Sequence, residues 1–530
     1  MPAPEPVPAV VEADVLVVGG GPAGTWAAVA AAEAGASVVL ADKGYCGTSG
    51  SAAAGGNNLW YLPPGPARAE SIDRRTAQGG SLTDRGWMHR TVDETYRRIE
   101  RLAEFGYPFP VDEDGRQRRG SLQGPQYLRT MRRAVHRRGV RILDHSPALE
   151  LLVDADGAVG GAAGVHRQDG WRPWRVHAKA TVLATGGCAF LSGAFGLNVD
   201  TGDGALFAAE AGAELSGMEF SNAYALSPAY GNHTKGLMMQ FATYYDEGGT
   251  VIPADGLGGR EVLARHVVAG GRVFARLDKA PAGLHAAMRT AQPNYFIPLD
   301  KAGIDPFTTP YEVRFVLEGT VRGTGGLRLV SADCATTVPG LFAAGDVATR
   351  ELVTGGISGG GSHNAAWAIS SGSWAGAGAA RAAARRAGLG PLRPAGRAGL
   401  RPAGRPAGSA GTADVVAAVQ GEVVPLERNY FRTGERLRGS LATLDDVWAA
   451  VTAGLGGGTA YDVLKARQAA AMAAHARWMY RAALARDESR AMHRRDDRQA
   501  TDPGLARRLL TGGLDEVWTR YEPEDTAVAA

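Results

Sequence analysis

The stretch "VLVVGGGPAG", residues 15–24, decides the fold of this chain. Its first four residues are apolar and mostly β-branched, the composition of a strand buried on both faces. Gly19, Gly21 and Gly24 follow, and "TWAAVAAAEAGA" is rich in the strongest helix former and closes at Gly35. "SVVLAD" then reads as a second buried strand ending in Asp42. Strand, glycine turn, helix and acid-tipped strand form the dinucleotide-binding fingerprint of an α/β protein. Gly19 permits the tight turn, Gly21 lets backbone approach a pyrophosphate, and Gly24 lets helix and strand pack closely. Amides at the helix N-terminus face the phosphate oxygens. Asp42 stands at the spacing from the glycines where a carboxylate accepts hydrogen bonds from a ribose.

The rest of the chain sets bounds on what such a unit serves. With 530 residues, two or three domains are expected. A formal net charge of +3 is small for that length and argues against a protein held to nucleic acid by phosphate neutralisation. Cys46, Cys188 and Cys334 are far apart and form no CxxC or His/Cys cluster, so neither a metal site nor a disulfide framework is expected. A reducing, cytoplasmic setting follows. The N-terminus "MPAPEPVPAVVEAD" has no basic n-region or apolar h-region, so no signal peptide is expected. The most apolar window, 25–41, is broken by Glu33 and Gly35 and is too short to span a bilayer, so no membrane insertion is expected.

Further along, residues 71–145 read as polar helices, of which "RTVDETYRRIERLAEFG" is the clearest amphipathic one. "ALELLVDADGAVGGAAGV" and "WRPWRVHAKATVLATGG" read as antiparallel strands leading into a buried strand. Residues 220–330 are richer in aromatics, proline and glycine and read as an inserted domain. "VPGLFAAGDV", 338–347, returns to a buried strand and a second glycine turn. Residues 387–412 are an Ala/Gly/Pro/Arg segment with too few large apolar groups to offset ordering entropy, expected to be a flexible linker. Its arginines could bind an anion. Residues 413–530 read as mostly helical.

In that order, "VLVVGGGPAG", "VLATGG", "TGDGALFAAEAGAEL" and "VPGLFAAGDV" resemble the succinate dehydrogenase and fumarate reductase flavoprotein family, with L-aspartate oxidase and the adenylylsulfate reductase flavoprotein. "DESRAMHRRDD" is similar to a segment of the family's C-terminal helical domain. The resemblance implies a Rossmann-like FAD-binding domain of residues 12–219 plus 331–386, an inserted α+β capping domain of 220–330, and a C-terminal helical domain of 413–530. It also implies FAD extended between both glycine turns. Its ADP part would lie on Gly19, Gly21, Gly24 and Asp42, and Lys43, Ala184, Thr185, Gly186 and Asp203 would also bind the cofactor. Gly345 and Asp346 would hold the ribityl chain. Thr48, Ser49, Gly55 and Gly56 form the loop that carries a covalent histidine in part of the family; that position falls on Ser49, so non-covalent FAD is expected. "ISSGS", 369–373, matches a helix start facing the flavin pyrimidine, with Ser370 or Ser371 stabilising negative charge.

For catalysis, the resemblance points to "YDEGG" and "REVLAR": Glu247 would relay a proton and Arg260 deliver it opposite a hydride. The family's substrate-binding histidines and arginine fall on Arg322, near Tyr224 and around His363. With Tyr245 these make a pocket for an anion, a bulkier one than succinate or fumarate. The activity implied is hydride transfer between FAD and a carbon of a small-to-medium anionic substrate, by desaturation or C=C reduction. An amine or amino-acid oxidase using oxygen is the second reading. A flavoprotein serving an iron–sulfur electron-acceptor protein is the third.

Overall fold

The structure, a computed structural model, describes residues 10–48, 50–112, 114–235, 237–256, 258–401 and 411–523. Its largest sheet is eight-stranded. The first strand, Val10–Val18, lies parallel between Val38–Ala41 and Arg172–Leu183, so that Val18 stands beside Ala41 on one side and Leu183 on the other. Arg141–Leu143 continues the parallel half beyond Val38–Ala41. The other side of Arg172–Leu183 is shared: Val159–His166 runs antiparallel to its first half, and Leu341–Ala343 parallel to its last three residues. Ala148–Val153 completes an antiparallel wing. Val18, Ala41, Leu183 and Ala343 therefore all end at one edge, where the carboxyl ends of parallel strands leave room for a ligand.

Val15, Leu16 and Val17 are completely buried, because both faces of the sheet are covered. Helix Pro22–Glu33 packs on helix Ser362–Arg385. A Cβ at Gly372 would sit 2.3 Å from the carbonyl oxygen of Ala23, and one at Gly376 2.1 Å from that of Ala27. The small residues of "SSGSWAGAGAA" are thus spaced for a close helix crossing.

The inserted domain is built on a five-stranded antiparallel sheet in the order Ala223–Pro228, Tyr311–Glu318, Val273–Arg276, Thr243–Tyr245, Val251–Ile252. It has its own core, including Leu226, Tyr295, Phe296, Leu299 and Val313. The chain is back in the main body by Gly326–Leu327, which pairs with Leu215–Ser216, a little before the expected boundary at 330.

The C-terminal part is mostly helical as expected, and the expectation that needs correction is the linker before it. Helices Thr412–Val423, Gly434–Gly454 and Ala460–Ala485 are followed by strands Leu509–Gly512 and Trp518–Tyr521, and the first of these joins Leu215–Ser216 of the main body. The region is therefore knitted into the rest. At the seam Arg486 donates to Glu219 at 2.7 Å with both side chains fully buried, and it also binds Glu488 and the carbonyls of Leu505 and Arg507. Glu488, Arg490, His493 and Arg495 of "DESRAMHRRDD" are buried here, so that motif is structural. The flexible linker is not seen over 387–401. Arg393–Pro394 forms an edge strand on Ala148–Val153, the amides of Arg397 and Ala398 donate to Glu210, and Arg401 clasps Glu150 at 2.6 and 2.7 Å. Charge-assisted hydrogen bonds replace the missing apolar burial. Residues 402–410 of the expected linker lie outside the described residues.

Candidate functional site

A cleft opens at the edge where the parallel strands end, and both glycine turns line it. In the first turn, Gly19 has φ +109°, and a Cβ there would meet the carbonyl oxygen of Ala184 at 2.3 Å. A Cβ on Gly24 would sit 1.7 Å from the carbonyl oxygen of Gly19. The fold itself requires these two glycines. Gly21 is different: a Cβ there would meet nothing within 4 Å, and its φ of −74° suits any residue. Beyond the modest preference for glycine at a helix N-cap, an occupant of the cleft is what gives Gly21 a reason to be glycine. The second turn, at Gly345, abuts the first across Ala23, and Asp346 beside it lines the same cleft.

The polar groups of the cleft also fit a long nucleotide. Asp42 is buried and accepts from the amides of Gly20 and Gly44, which fixes its carboxylate beside the first turn. Lys43 pairs with Asp203 at 2.7 Å and reaches Thr201 at 3.2 Å. Asp346 pairs with Arg350, whose guanidinium also binds the carbonyls of Thr320, Val321 and Gly323. Thr185, Asp200 and Asn364 line the cleft, and Thr185 Oγ1, Asp200 Oδ2 and Asn364 Oδ1 are buried oxygens without a partner among the described residues. Burial, and then the charge of Asp346, push the Asp200 carboxyl well above the usual carboxylate range. Buried polar atoms left open in this way call for a ligand rich in hydroxyls and acceptors. FAD fits these residues.

Of the residues expected at the cofactor, Gly19, Gly21, Asp42, Lys43, Ala184, Thr185, Gly186, Asp203, Gly345 and Asp346 line the cleft, with Gly24 packed behind it. Gly55 and Gly56 lie in the loop between Ala52 and Asn57, both of which line it. Thr48 is exposed and its hydroxyl donates to Tyr45 at 3.2 Å, away from the cleft. Ser49 lies outside the described residues. Ser370 and Ser371 are a correction. The helix begins at Ser362, so both are two turns inside it and completely buried. Ser370 donates to the Thr91 carbonyl at 3.1 Å, and Ser371 accepts from the Gly345 amide at 3.0 Å. The helix start that borders the cleft is at Gly361, Asn364 and Ala365.

The expected catalytic set does not assemble. Glu247 sits exposed on the turn between Thr243–Tyr245 and Val251–Ile252, accepting from the Arg272 amide at 3.2 Å and lying 3.5 Å from His266. Arg260 is exposed on the first turn of helix Gly259–Val268 and reaches the Tyr224 carbonyl at 3.4 Å. No ion pair joins the two among the described residues. The Tyr224 hydroxyl is buried and donates to the carbonyls of Val423 and Val424, so it is tied to the C-terminal region. Tyr245 donates to Asp278 at 3.0 Å. None of these four lines the cleft. Arg322 does, with its Nε 3.7 Å from Glu318. His363 stacks on Trp60 with ring centroids 4.4 Å apart; its Nδ1 is 3.1 Å from the Gly359 carbonyl, which only accepts, so that nitrogen carries the proton. Burial and the nearby Arg75 push His363 down to about 3, and the ring is neutral.

Motif reading passed over Lys235, a buried lysine in the inserted domain, and Arg350.

The family model described as "FAD binding domain" matches residues 14–364, and "Fumarate reductase flavoprotein C-term" matches 421–518. L-aspartate oxidase of Streptomyces coelicolor is 31% identical over 376 residues, 64% of this chain and 63% of that protein. A fumarate reductase (CoM/CoB) chain of Methanothermobacter marburgensis is 28% identical over 46% of this chain and 48% of its own length. The matched stretch thus spans about half to five-eighths of these curated relatives. The solved E. coli quinol fumarate reductase FrdA superposes with a TM-score of 0.80 at 20% identity, covering 98% of each chain, and has the same fold. No helix among the described residues is long and apolar enough to cross a membrane. With both glycine turns on one cleft and both family regions in place, the chain belongs to the FAD-binding flavoprotein family of succinate dehydrogenase and fumarate reductase.

Proposed function

We propose that this chain is an FAD-dependent oxidoreductase that exchanges a hydride with a carbon of a small-to-medium anionic organic substrate, with FAD held without a covalent bond. The observation that carries this reading is a single cleft in which unpartnered buried oxygens meet an arginine: Thr185, Asp200 and Asn364 suit the nucleotide, and Arg322 suits an anion. When bound, FAD supplies the two-electron acceptor or donor. The residues of the chain do the rest. Gly21 and the start of helix Pro22–Glu33 admit the pyrophosphate, Asp42 accepts from the ribose, and Asp346, neutralised by Arg350, faces the ribityl hydroxyls. Arg322 orients the anionic end of the substrate. The inserted domain contributes the roof that excludes water.

Similarity to L-aspartate oxidase supports a second reading, an amino-acid oxidase that passes electrons to oxygen. One experiment serves both: anaerobic reduction of the purified yellow protein by a panel of carboxylates and amines, followed at the flavin absorption band. Bleaching by a carboxylate supports desaturation, and bleaching by an amino acid with peroxide formation in air supports the oxidase. Reduction without peroxide points to an electron-acceptor protein as partner. A purified protein that is colourless and refuses added FAD overturns the reading. The three cysteines are buried free thiols, which supports a reducing, cytoplasmic setting.

A further inference from the structure

We infer that Lys235, together with Arg322, forms a binding site for a substrate oxyanion where the inserted domain meets the cleft; this rests on the reading of the cleft as a flavin site. Lys235 is 9% exposed, and its Nζ has no hydrogen-bond partner among the described residues. The loop that carries it is anchored on both sides. Thr234 donates to Glu318 at 2.8 Å, His233 lies 3.0 Å from Gln292 with its ring against Phe195, and the Lys235 carbonyl accepts from the Leu237 amide at 3.1 Å. The side chain crosses from the inserted domain to the main body: a Cβ on Gly55 would sit 3.5 Å from its Cδ and 3.7 Å from its Nζ. Arg322 reaches the same boundary from the other side, its Nη1 3.0 Å from where a Cβ on Gly361 would lie.

The charges do not balance. Glu318 is the carboxylate that faces both Lys235 and Arg322, and its Oε1 already accepts from Thr234; the other carboxylate near Arg322, Asp346, is paired with Arg350. Arg350, Arg467 and Arg486, buried at least as deeply, each own a carboxylate, in Asp346, Glu210 and Glu219. A buried ammonium with no acceptor is retained against its desolvation only where something supplies the acceptor. An incoming carboxylate or similar oxyanion does so, and restores neutrality to the pair.

Protonation follows from the same geometry. Burial and then Arg322 pull Lys235 down to about 7, while Glu318 opposes them. These are the charged groups that face it; His233 in the same loop is held neutral by burial, at about 4, and Gly55 and Phe195 bring no charge. An anion binds the ammonium form, so binding takes up a proton and affinity falls as pH rises through about 7.

The test is calorimetric titration of the FAD-loaded full chain with succinate, sulfate and the neutral diamide succinamide at pH 6.0 and 8.5. At least one anion is expected to bind and succinamide is not; succinate or sulfate as the tighter ligand separates a carboxylate from a tetrahedral oxyanion. Affinity should fall at least tenfold between the two pH values. Lys235→Met should weaken binding at pH 6.0 at least tenfold and flatten the pH dependence, with FAD content unchanged. Lys235→Arg, charged at both pH values, should keep binding and lose the pH dependence. Wild-type affinity and pH profile in Lys235→Met, or a yellow wild-type protein that binds neither anion, overturns the site while leaving the flavin reading intact. A colourless protein overturns both.

Discussion

Replacing Gly21 by alanine separates what the fold needs from what the ligand needs. The backbone at Gly21, φ −74° and ψ −171°, is open to alanine, and the new methyl would touch nothing within 4 Å. Gly21 is the N-cap of helix Pro22–Glu33, and alanine is a poorer N-cap than glycine by roughly 0.5–1 kcal/mol. Alanine also narrows the unfolded ensemble, worth about 0.4–1 kcal/mol in the other direction. The two effects offset, so the flavin-free protein should keep its stability to within about 1 kcal/mol. With FAD present, the methyl stands between the pyrophosphate and the backbone amides behind it. Losing one charge-assisted hydrogen bond there costs about 1.5–3 kcal/mol, or roughly a 10- to 100-fold weaker affinity. Urea unfolding of the flavin-free protein and FAD titration by fluorescence quenching measure the two numbers separately. Gly24→Ala is the contrast: its Cβ would sit 1.7 Å from the Gly19 carbonyl oxygen, so it should destabilise the flavin-free protein by about 1–3 kcal/mol or more. An FAD affinity within threefold of wild type in Gly21→Ala, with stability unchanged, refutes the placement of the pyrophosphate at this turn.

Arg486→Met leaves Glu219 as an uncompensated buried carboxylate and should cost about 3–5 kcal/mol in urea unfolding; adding Glu219→Gln should recover part of that loss. Burial, and then Glu219, raise Glu351 from 4.5 to about 8. The folded chain therefore binds that proton more tightly than the unfolded chain, and the stabilisation is full below pH 4.5 and lost as pH rises towards 8. The slope is at most about 1.4 kcal/mol per pH unit. Glu351→Gln should flatten the stability profile across that window; an unchanged profile would remove Glu351 as its source.

The parts of this molecule that were legible in the sequence are those whose signal is local. The first glycine turn, the helix after it and the buried strands "VLATGG" and "GLFAA" each carry their own pattern of apolar residues and breaks. Their order identified the family and the cofactor. Where the outcome depended on distant partners, local patterns misled. Residues 387–401 have the composition of a linker, yet Glu150 and Glu210, far back in the chain, hold them in place. Ser370 and Ser371 occupy a stretch that resembles a helix start, but the helix had already begun at Ser362. Glu247 and Arg260 match motif positions. Asp246, by accepting from the amides of Gly248 and Thr250, bends the hairpin so that Glu247 points to solvent.

The sequence by itself determined the flavin-binding architecture, because a βαβ turn is specified by residues within one short segment and its glycines answer to sterics among near neighbours. Only the tertiary structure decided which charges meet where the inserted domain docks beside the cleft. Lys235, Arg322 and Gly55 come from segments far apart in the chain and from both sides of a domain boundary, so their meeting depends on how the inserted sheet docks. The role proposed for Lys235 rests on lost solvation and on the absence of a hydrogen-bond partner among the described residues, and both are properties of the packed molecule.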